Sequence, residues 1–397
     1  MNYCQASPTE GLLIVRHPAA TTALLTTATL LLATACSGTP PTPPSPSESP
    51  TASPGTTTAP TPQGPPAKGE ATVTATVAQG LKSPWGLAAL PDGDLLVSSR
   101  DEGTITRVDA TTGKLTPVGQ VPGTDPGGEG GLLGLALSPS YASDHQVYAY
   151  FTTASDNRIA RLLYDDKRPA GQQLGAPDTV FKGIPKGSNH NGGRIAFGPD
   201  KMLYAGTGET GDTSLAQDPK SLGGKILRMT KDGKPVHGNP EADSVVYSLG
   251  HRNVQGLAWD KEGRLWAAEF GQNTWDELNL IEPGKNYGWP EVEGQEQKEG
   301  FVSPVAQWKT SDASPSGIAI AEGSVWMAGL RGERLWRIPL NGTKPVADPE
   351  AFFTGKYGRL RTVLATGGDQ LLLVTSETDS RGTPGPGDDR ILKVTVK

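Results

Sequence analysis

Residues 84–109 read PWGLAALPDGDLLVSSRDEGTITRVD, and this stretch decides the fold. Two apolar runs flank a Pro-Asp-Gly turn at residues 91–93, and along each run apolar and polar residues tend to alternate. Alternation of this kind, interrupted by Pro, Asp and Gly, is typical of a β-hairpin. Helical periodicity of any length is hard to find in the folded part of the chain, so the sequence predicts an all-β protein.

The same pattern recurs five more times along the 397-residue chain. The further copies begin near Gly130, Asn191, Val254, Pro315 and Leu360, roughly 45 to 63 residues apart. Repeats of this length with paired apolar runs are typical of propeller blades. We therefore predict a six-bladed β-propeller of four-stranded antiparallel blades, with polar loops gathered at one mouth of the channel. A β-sandwich is the alternative architecture.

The first seventy residues differ from the rest. Residues 17–35 contain no Asp, Glu, Lys or Arg, and the small residues before Cys36 are typical of a lipoprotein signal. Residues 37–70 are rich in Pro, Thr and Ser, and such a segment cannot bury a core. We expect a signal peptide over residues 1–36 with a lipidated Cys36, a disordered tether over 37–70, and the folded domain over 71–397. A membrane-spanning helix is the alternative for the apolar segment.

The net charge, the cysteine count and the absence of some motifs exclude several classes of partner and function. The formal net charge is −6, which gives no basic footprint for nucleic acid. Cys4 would leave with the signal peptide and Cys36 would carry lipid, so packing and bound ions rather than an internal disulfide must stabilise the secreted domain. The chain has no GxGxxG that opens a helix, no P-loop and no GxSxG motif, so flavin, NAD and serine-hydrolase functions have no support.

His190 is the best candidate for a catalytic base. It lies just before the inner strand of the third copy, where the chain comes close to the channel mouth. A neutral imidazole there can take a proton from a substrate hydroxyl. A surface histidine that only forms hydrogen bonds is the alternative. His251 lies at the corresponding position of the fourth copy, but the neighbouring Arg252 disfavours its charged form, which makes it the weaker base.

Two further groups of residues point to ligands. Guanidinium groups at the starts or ends of the last three copies predict an anionic ligand in the channel, because they bind planar carboxylates in bidentate fashion; ion pairs on the rim are the alternative. These groups belong to Arg252, Arg331, Arg359 and Arg361. Carboxylate and carbonyl oxygens of the kind that calcium prefers come from a second segment, for which an acidic turn without metal is the alternative. That segment contains Gly271, Gln272, Asp276, Glu277 and Tyr287.

Over residues 72–397 the sequence resembles the soluble quinoprotein sugar dehydrogenases, the glucose and sorbosone dehydrogenase family. The motifs that carry the resemblance are GLLGLALSP (131–139), HNGGRIAFGPD (190–200), LGGKILR (222–228), LGHRNVQGLAWD (249–260), DELNLI (276–281) and NYGWP (286–290). The resemblance implies a six-bladed propeller that binds pyrroloquinoline quinone (PQQ) and calcium in its channel. It further implies oxidation of aldose sugars at C1 to the lactone, with electrons passed to an external acceptor.

The resemblance also implies a role for each candidate residue. His190 would be the general base that removes the C1 hydroxyl proton while hydride passes to the quinone. Arg252 and Asn253 would contact the quinone, with the charge of Arg252 stabilising the developing oxyanion. Gly271 and Gln272 would offer backbone carbonyls to a calcium ion that acts as a Lewis acid, and Glu277 and Tyr287 would hold a calcium ion nearby. The cofactor's carboxylates would be bound by Arg331, Arg359 and Arg361.

Three positions depart from better-known members. Glu129 replaces a glutamine in the cofactor-binding region, and its carboxylate would repel an anionic quinone unless it is protonated or turned aside. Arg331 replaces a lysine, and Gln272 replaces a proline of some members. Two other functions stay open: a non-catalytic extracellular propeller that binds carbohydrate or protein, and a calcium-dependent lactonase. For the dehydrogenase we expect a small aldose as substrate, no nucleic-acid partner, and a location outside the cell on the outer face of the cell membrane, with the lipid anchor as the only membrane contact.

Overall fold

The computed structural model describes residues 64–397. The predicted signal peptide, Cys36 and most of the predicted tether lie outside these residues. Within the described part of the chain, no helix is long and apolar enough to cross a membrane.

Almost all regular structure in this part is β-strand, with two four-residue helices. In chain order the elements are β1 (Ala71–Gln79), β2 (Pro84–Ala89), β3 (Leu95–Ser99), β4 (Thr104–Val108), β5 (Leu115–Gln120), β6 (Leu132–Leu137), α1 (Tyr141–Asp144), β7 (Gln146–Thr152), β8 (Asn157–Leu163), β9 (Asp178–Ile184), β10 (Ile195–Phe197), β11 (Leu203–Gly206), α2 (Ser214–Gln217), β12 (Lys225–Met229), β13 (Val246–Leu249), β14 (Val254–Trp259), β15 (Leu265–Glu269), β16 (Trp275–Ile281), β17 (Ala306–Lys309), β18 (Pro315–Ala321), β19 (Ser324–Gly329), β20 (Arg334–Asn341), β21 (Lys344–Pro345), β22 (Glu350–Phe352), β23 (Leu360–Gly367), β24 (Gln370–Thr375) and β25 (Arg390–Val396).

These strands form six antiparallel sheets, the blades of a propeller. Blades one to four are β2–β5, β6–β9, β10–β13 and β14–β17. Blade five contains β18–β21, with β22 also paired to β20. Blade six combines β23–β25 with β1, so the first strand of the domain closes the ring against the last one. The predicted six-bladed propeller is therefore confirmed.

The core lies between the blades. Six clusters of buried apolar side chains each join two neighbouring blades, so every blade interface in the ring has one. In the first cluster, Leu96 and Ile105 of blade one pack with Leu132 and Val147 of blade two, and all four are fully buried. Burying one such aliphatic side chain contributes roughly 1.5–3 kcal/mol. The alternating sequence pattern supplies these contacts on both faces of each blade.

Inner strands of neighbouring blades approach each other closely at glycines. A Cβ on Gly86 in β2 would lie 2.6 Å from the Leu133 carbonyl oxygen of β6, and one on Gly256 in β14 would lie 2.5 Å from the Ser316 carbonyl oxygen of β18. Real side chains do not fit at such distances, so these positions need glycine. Glycines near the start of these inner strands thus let neighbouring blades approach closely around the channel.

Residues 66–69, which the sequence analysis assigns to the end of the tether, contact blade five. The buried Arg337 guanidinium donates to the Pro66 carbonyl at 2.8 Å and forms an ion pair with Glu350 at 2.7 Å. Glu350 in turn accepts the backbone N–H of Gly69 at 2.9 Å. The last residues before β1 are therefore fixed to the folded domain.

Candidate active site

A cavity of about 250 Å³ opens at the end of the channel where the inner strands begin. Its lining unites seven residues that the sequence analysis selected from five different blades: Glu129, His190, Arg252, Asn253, Arg331, Arg359 and Arg361. Because these residues are separated by up to 232 positions in sequence, only closure of the propeller brings them together. Their individual roles stay predictions.

His190 is held at three points. Its ring Nδ1 lies 2.8 Å from Oε1 of the buried Glu209, its backbone N–H donates to Oε2 of Glu129 at 2.9 Å, and its carbonyl accepts the N–H of Thr210 at 3.2 Å. When Nδ1 donates to Glu209, Nε2 is left unprotonated and can accept a proton. The nearest protein donor to Nε2 is the Asn189 amide, at 3.4 Å. The arrangement suits a general base with an oriented imidazole.

His251 has a different environment. It is fully buried, with one ring nitrogen 2.7 Å from Glu269 and the other 2.8 Å from the Ser248 hydroxyl. Its ring stacks on Tyr287 with centroids 4.8 Å apart. Both nitrogens are occupied and the ring does not line the cavity, so His251 acts as a packing residue, consistent with its ranking as the weaker base.

Arg359 and Arg361 share one carboxylate. Oδ2 of the buried Asp379 accepts from Arg361 at 2.8 Å and from Arg359 at 3.1 Å. Burial by itself raises the pKa of Asp379, but the two guanidiniums outweigh it and hold that pKa at about 2. Burial lowers the pKa of Arg361 to about 10, so it stays charged at neutral pH. One carboxylate for two cations leaves a net positive charge facing the cavity.

The Arg252 guanidinium also has few hydrogen-bond partners. Its Nε is buried without a hydrogen-bond partner and lies 3.9 Å from Glu209, and its Nη1 is 3.4 Å from the Phe270 carbonyl. Burial lowers the pKa of this guanidinium, which means that the charge is poorly solvated. Its backbone N–H is held by Glu269 at 2.8 Å. A fixed, desolvated cation near His190 favours an anionic or electron-rich ligand.

Glu129 faces the cavity, but its charge is compensated. Oε2 accepts the His190 N–H, and Oε1 forms a 2.8 Å ion pair with Arg381. Arg381 lies in the loop between β24 and β25, across the mouth from Glu129. The repulsion expected between Glu129 and an anion is therefore offset by the Arg381 guanidinium, which no sequence motif indicates.

The floor of the cavity is closed by Trp85. The Arg194 guanidinium packs 4.3 Å from the centroid of its ring and donates to the Gln255 carbonyl at 2.8 Å and to Thr362 at 3.1 Å. Burial, with Arg361 nearby, lowers the pKa of Arg194 to about 9. This stack separates the polar cavity from a second, largely apolar cavity of about 340 Å³ in the other half of the channel.

The predicted calcium residues lie at one side of the mouth, in blade four. The N–H of Gly271 is bonded to Asp276 at 2.9 Å, and the N–H of Gln272 to Glu293 at 2.8 Å. These bonds use the backbone nitrogens and leave the two carbonyls for other partners. Among the described residues, no group of three or more His, Cys, Asp and Glu side chains has the arrangement of a metal site. A site here would depend on backbone carbonyls.

Glu277 and Tyr287 do not contact each other through their side-chain polar atoms. Glu277 accepts from Gly294 at 2.6 Å and from the Asn279 amide at 3.0 Å, while the Tyr287 hydroxyl donates to the Leu280 carbonyl at 2.6 Å. Burial, together with the Glu269 carboxylate, raises the pKa of Glu277. The side-chain amide of Asn279 donates to both Glu269 and Glu277, and its Oδ1 is buried without a hydrogen-bond partner.

Several residues that shape the cavity were not identified from the sequence. Arg381 and Arg100 line it, Glu209 holds the catalytic candidate His190, and Asp379 holds the cofactor-binding candidates Arg359 and Arg361. Glu209 follows the inner hairpin of blade three, so blade geometry offers a signal for it. Arg381 lies in the corresponding loop of blade six, between β24 and β25, but no repeated residue pattern marks its position in that loop.

The fold and the cavity together define a class of protein. A single imidazole and a ring of guanidiniums lie at the mouth of a six-bladed propeller, and the family model for Glucose / Sorbosone dehydrogenase matches residues 81–383. The chain belongs to this family, which confirms the resemblance found in the sequence.

The chain is similar to several named members of this family. The aldose sugar dehydrogenase of Streptomyces coelicolor, solved in its PQQ-bound form, is 73% identical, with 84% of this chain and all of that one covered and a TM-score of 0.84. Aldose sugar dehydrogenase YliI of Escherichia coli is 31% identical over 332 residues, 76% of this chain and 88% of the relative. Quinoprotein glucose dehydrogenase B of Acinetobacter calcoaceticus is 32% identical over 285 residues, 62% of this chain but only 59% of the relative, less than two thirds of its length.

Proposed function

We propose that this protein is a PQQ-dependent aldose dehydrogenase that oxidises the C1 hydroxyl of a sugar to the lactone. The observation that carries the proposal is the cavity itself, which places the His190–Glu209 pair among Arg252, Arg331, Arg359 and Arg361. The PQQ-bound relative from Streptomyces coelicolor adds support, because it is similar along its whole length.

The residues of the cavity fit such a cofactor. PQQ is a flat triacid, and forked guanidiniums bind planar carboxylates with two parallel hydrogen bonds. Arg359 and Arg361 share a single counterion, and the buried Nε of Arg252 has no partner, so an anion would complete the hydrogen bonding of this cluster. We propose that Arg331, Arg359 and Arg361 bind its carboxylates and that Arg252 and Asn253 contact its quinone edge. When bound, PQQ supplies a two-electron acceptor beside the sugar.

The chain's own residues then perform the proton chemistry. His190 accepts the proton of the C1 hydroxyl at Nε2, while the Glu209 carboxylate stabilises the imidazolium that forms. Arg252 places positive charge where negative charge develops during hydride transfer, and because it is desolvated its electrostatic effect is large. Trp85 and Arg194 close the floor of the cavity and keep the reacting groups on one side of the channel.

Calcium is the second proposed cofactor. We propose that the backbone carbonyls of Gly271 and Gln272 bind an ion that acts as a Lewis acid toward the quinone, with Glu277 and Tyr287 at a neighbouring calcium site. The buried, partnerless Oδ1 of Asn279 beside two carboxylates supports an oxygen-rich cation site in this blade. We also propose that the enzyme acts outside the cell, anchored by lipid on Cys36, and that an external acceptor takes its electrons.

A reconstitution experiment tests the function. Apoprotein loaded with PQQ and calcium should reduce a dye when glucose or another aldose is added. His190→Ala should lower kcat by about 10²–10⁴-fold, the usual contribution of a general base, while it still binds PQQ in a fluorescence titration. His145→Ala, a change at an exposed histidine outside the cavity, is the matched control and should leave kcat unchanged. If no sugar of a broad panel supports dye reduction by the loaded protein, the proposal is wrong.

A further inference from the structure

We propose that Glu129, which forms an ion pair with Arg381 across the channel mouth, positions the catalytic His190. In this assignment Glu129 fixes the backbone of His190, and Arg381 cancels the charge of Glu129 so that an anionic cofactor can bind beside it. The inference rests on the proposed dehydrogenase function and adds to it one positioning residue, Glu129, and the counterion of that residue, Arg381.

The pair joins three blades. Glu129 lies just before the inner strand of blade two, His190 just before that of blade three, and Arg381 in a loop of blade six. Glu129 uses one oxygen for each neighbour, at 2.9 Å to the His190 N–H and at 2.8 Å to Arg381. Blade six is separated from blade two by blade one, so the contact spans part of the mouth rather than a single blade interface.

The backbone of His190 needs such a partner. His190 has a φ of 52°, in the left-handed region that non-glycine residues adopt uncommonly, although His, like Asn and Asp, occurs there more often than other side chains. Its carbonyl is already held by the Thr210 N–H at 3.2 Å and its ring by Glu209 at 2.8 Å. The Glu129 carboxylate supplies the remaining contact on the N–H side. Without it, the N–H side of His190 loses its side-chain contact, and the direction of the imidazole is fixed only through Glu209 and Thr210.

The compensating role of Arg381 follows from charge. Glu129 is the one acid among the residues that line the cavity, and an unpaired carboxylate there would repel a triacid. The Arg381 side chain is 59% exposed, so it reaches Glu129 from the solvent side of the mouth and leaves the interior free. The pair therefore explains how this chain has a glutamate at this position next to a cavity lined with arginines.

Substitutions separate the two roles. Glu129→Gln keeps a carbonyl oxygen for the His190 N–H but removes the charge that Arg381 balances. Glu129→Ala removes both interactions. Arg381→Ala keeps the bond to His190 and leaves the Glu129 carboxylate without its counterion. Arg161→Ala, which removes an exposed ion pair with Asp178 and Asp232 far from the mouth, is the control for loss of a surface arginine.

Kinetics test the positioning role. A misplacement of about 1 Å costs on the order of 100-fold in rate, so Glu129→Ala should lower kcat by about that factor. KM for the sugar should stay within about threefold, and Glu129→Gln should recover most of kcat. In the apoprotein, hydrogen exchange of the peptide that contains His190 should be faster in Glu129→Ala and unchanged in Glu129→Gln. Equal rates and equal exchange in Glu129→Ala and the unmodified protein would overturn the assignment.

PQQ titration, which needs no turnover, tests the charge role. Arg381→Ala should weaken PQQ binding by about tenfold or more, and the double variant Glu129→Gln/Arg381→Ala should bind nearly as well as the unmodified protein. Affinity that is unchanged in Arg381→Ala, or equally weak in the double variant, would refute the compensation. If the unmodified protein binds no PQQ and oxidises no sugar, the proposed function itself fails, an outcome distinct from either of these.

Discussion

Replacing Asp379 with Asn removes the carboxylate that Arg359 and Arg361 share behind the cavity. Burial raises the pKa of Asp379, and the two guanidiniums lower it further than burial raises it, from the ordinary value of 3.8 to about 2. Since one pKa unit corresponds to about 1.4 kcal/mol, the ionised carboxylate stabilises the folded protein by roughly 2 kcal/mol. The side chain is 2% exposed, so solvent does not screen the interaction.

The sign of the pH dependence follows from the direction of the shift. The folded pKa lies below the unfolded one, so this stabilisation is fully present above about pH 4 and is lost as the pH falls through about 2. Asp379→Asn also leaves the buried Arg361 without its counterion, and breaking a buried pair costs about 3–5 kcal/mol in total at neutral pH. The loss of unfolding free energy in Asp379→Asn should therefore be smaller in acid, where the unmodified protein also loses the ionised carboxylate.

Urea unfolding followed by tryptophan fluorescence measures both parts. The difference in unfolding free energy between the unmodified protein and Asp379→Asn should be about 3–5 kcal/mol at pH 7 and about 2 kcal/mol smaller near pH 2.5. Asp178→Asn, which removes a 63% exposed partner of Arg161, is the control and should cost less than about 1 kcal/mol at neutral pH. A difference for Asp379→Asn that stays the same at every pH would refute the reasoning.

Gly128, Arg337 and the proposed calcium site can each be tested separately. Gly128→Ala should lower kcat with little change in the rest of the fold, because the new Cβ would overlap the Ser188 carbonyl beside His190; Gly123→Ala, also at positive φ but with open space around it, is the control in kinetic assays. Arg337→Met should lower the unfolding free energy by about 1.5–3 kcal/mol in urea unfolding, because the part-buried Glu350 would lose its hydrogen-bonded cation and keep only Lys68 at 3.6 Å, and proteolysis near residues 66–69 should speed up. Calcium at 100 times its Kd should raise the unfolding free energy by about 2.7 kcal/mol and a chelator should reverse this; no shift with calcium would contradict the proposed metal site.

The fold could be predicted because its determinants are local. Period-two alternation and turns that contain Gly, Pro or Asp recur in every copy, a glycine near the start of the inner strand recurs in most copies, and each is read from a few neighbouring residues. The closure of blade six by β1 had no such signal, since it depends on which distant edge remains unpaired. The same holds for β22, an extra strand on blade five.

The candidate site was predictable to the extent that it follows the repeat. His190, Arg252 and Arg361 each lie close to the start of an inner strand, so blade geometry brings them to one mouth. Glu209 and Asp379 were missed because they follow the second strand of a blade, where the loops differ in length. The sequence shows that these acids exist, but only the assembled ring shows which cation each one faces.

The net charge of the chain does not show where its charged residues lie. The whole chain carries −6, yet six arginines and one glutamate line the cavity. Such a concentration of cations is stable only if carboxylates behind it satisfy part of the hydrogen bonding, as Asp379 and Glu209 do here. These carboxylates are fewer than the guanidiniums of the cavity. The cavity therefore has an excess of positive charge, which attracts an anion. Glu129 would remove part of this excess if it stood alone, and its pairing with Arg381, 252 positions later, keeps the cavity selective for an anionic ligand.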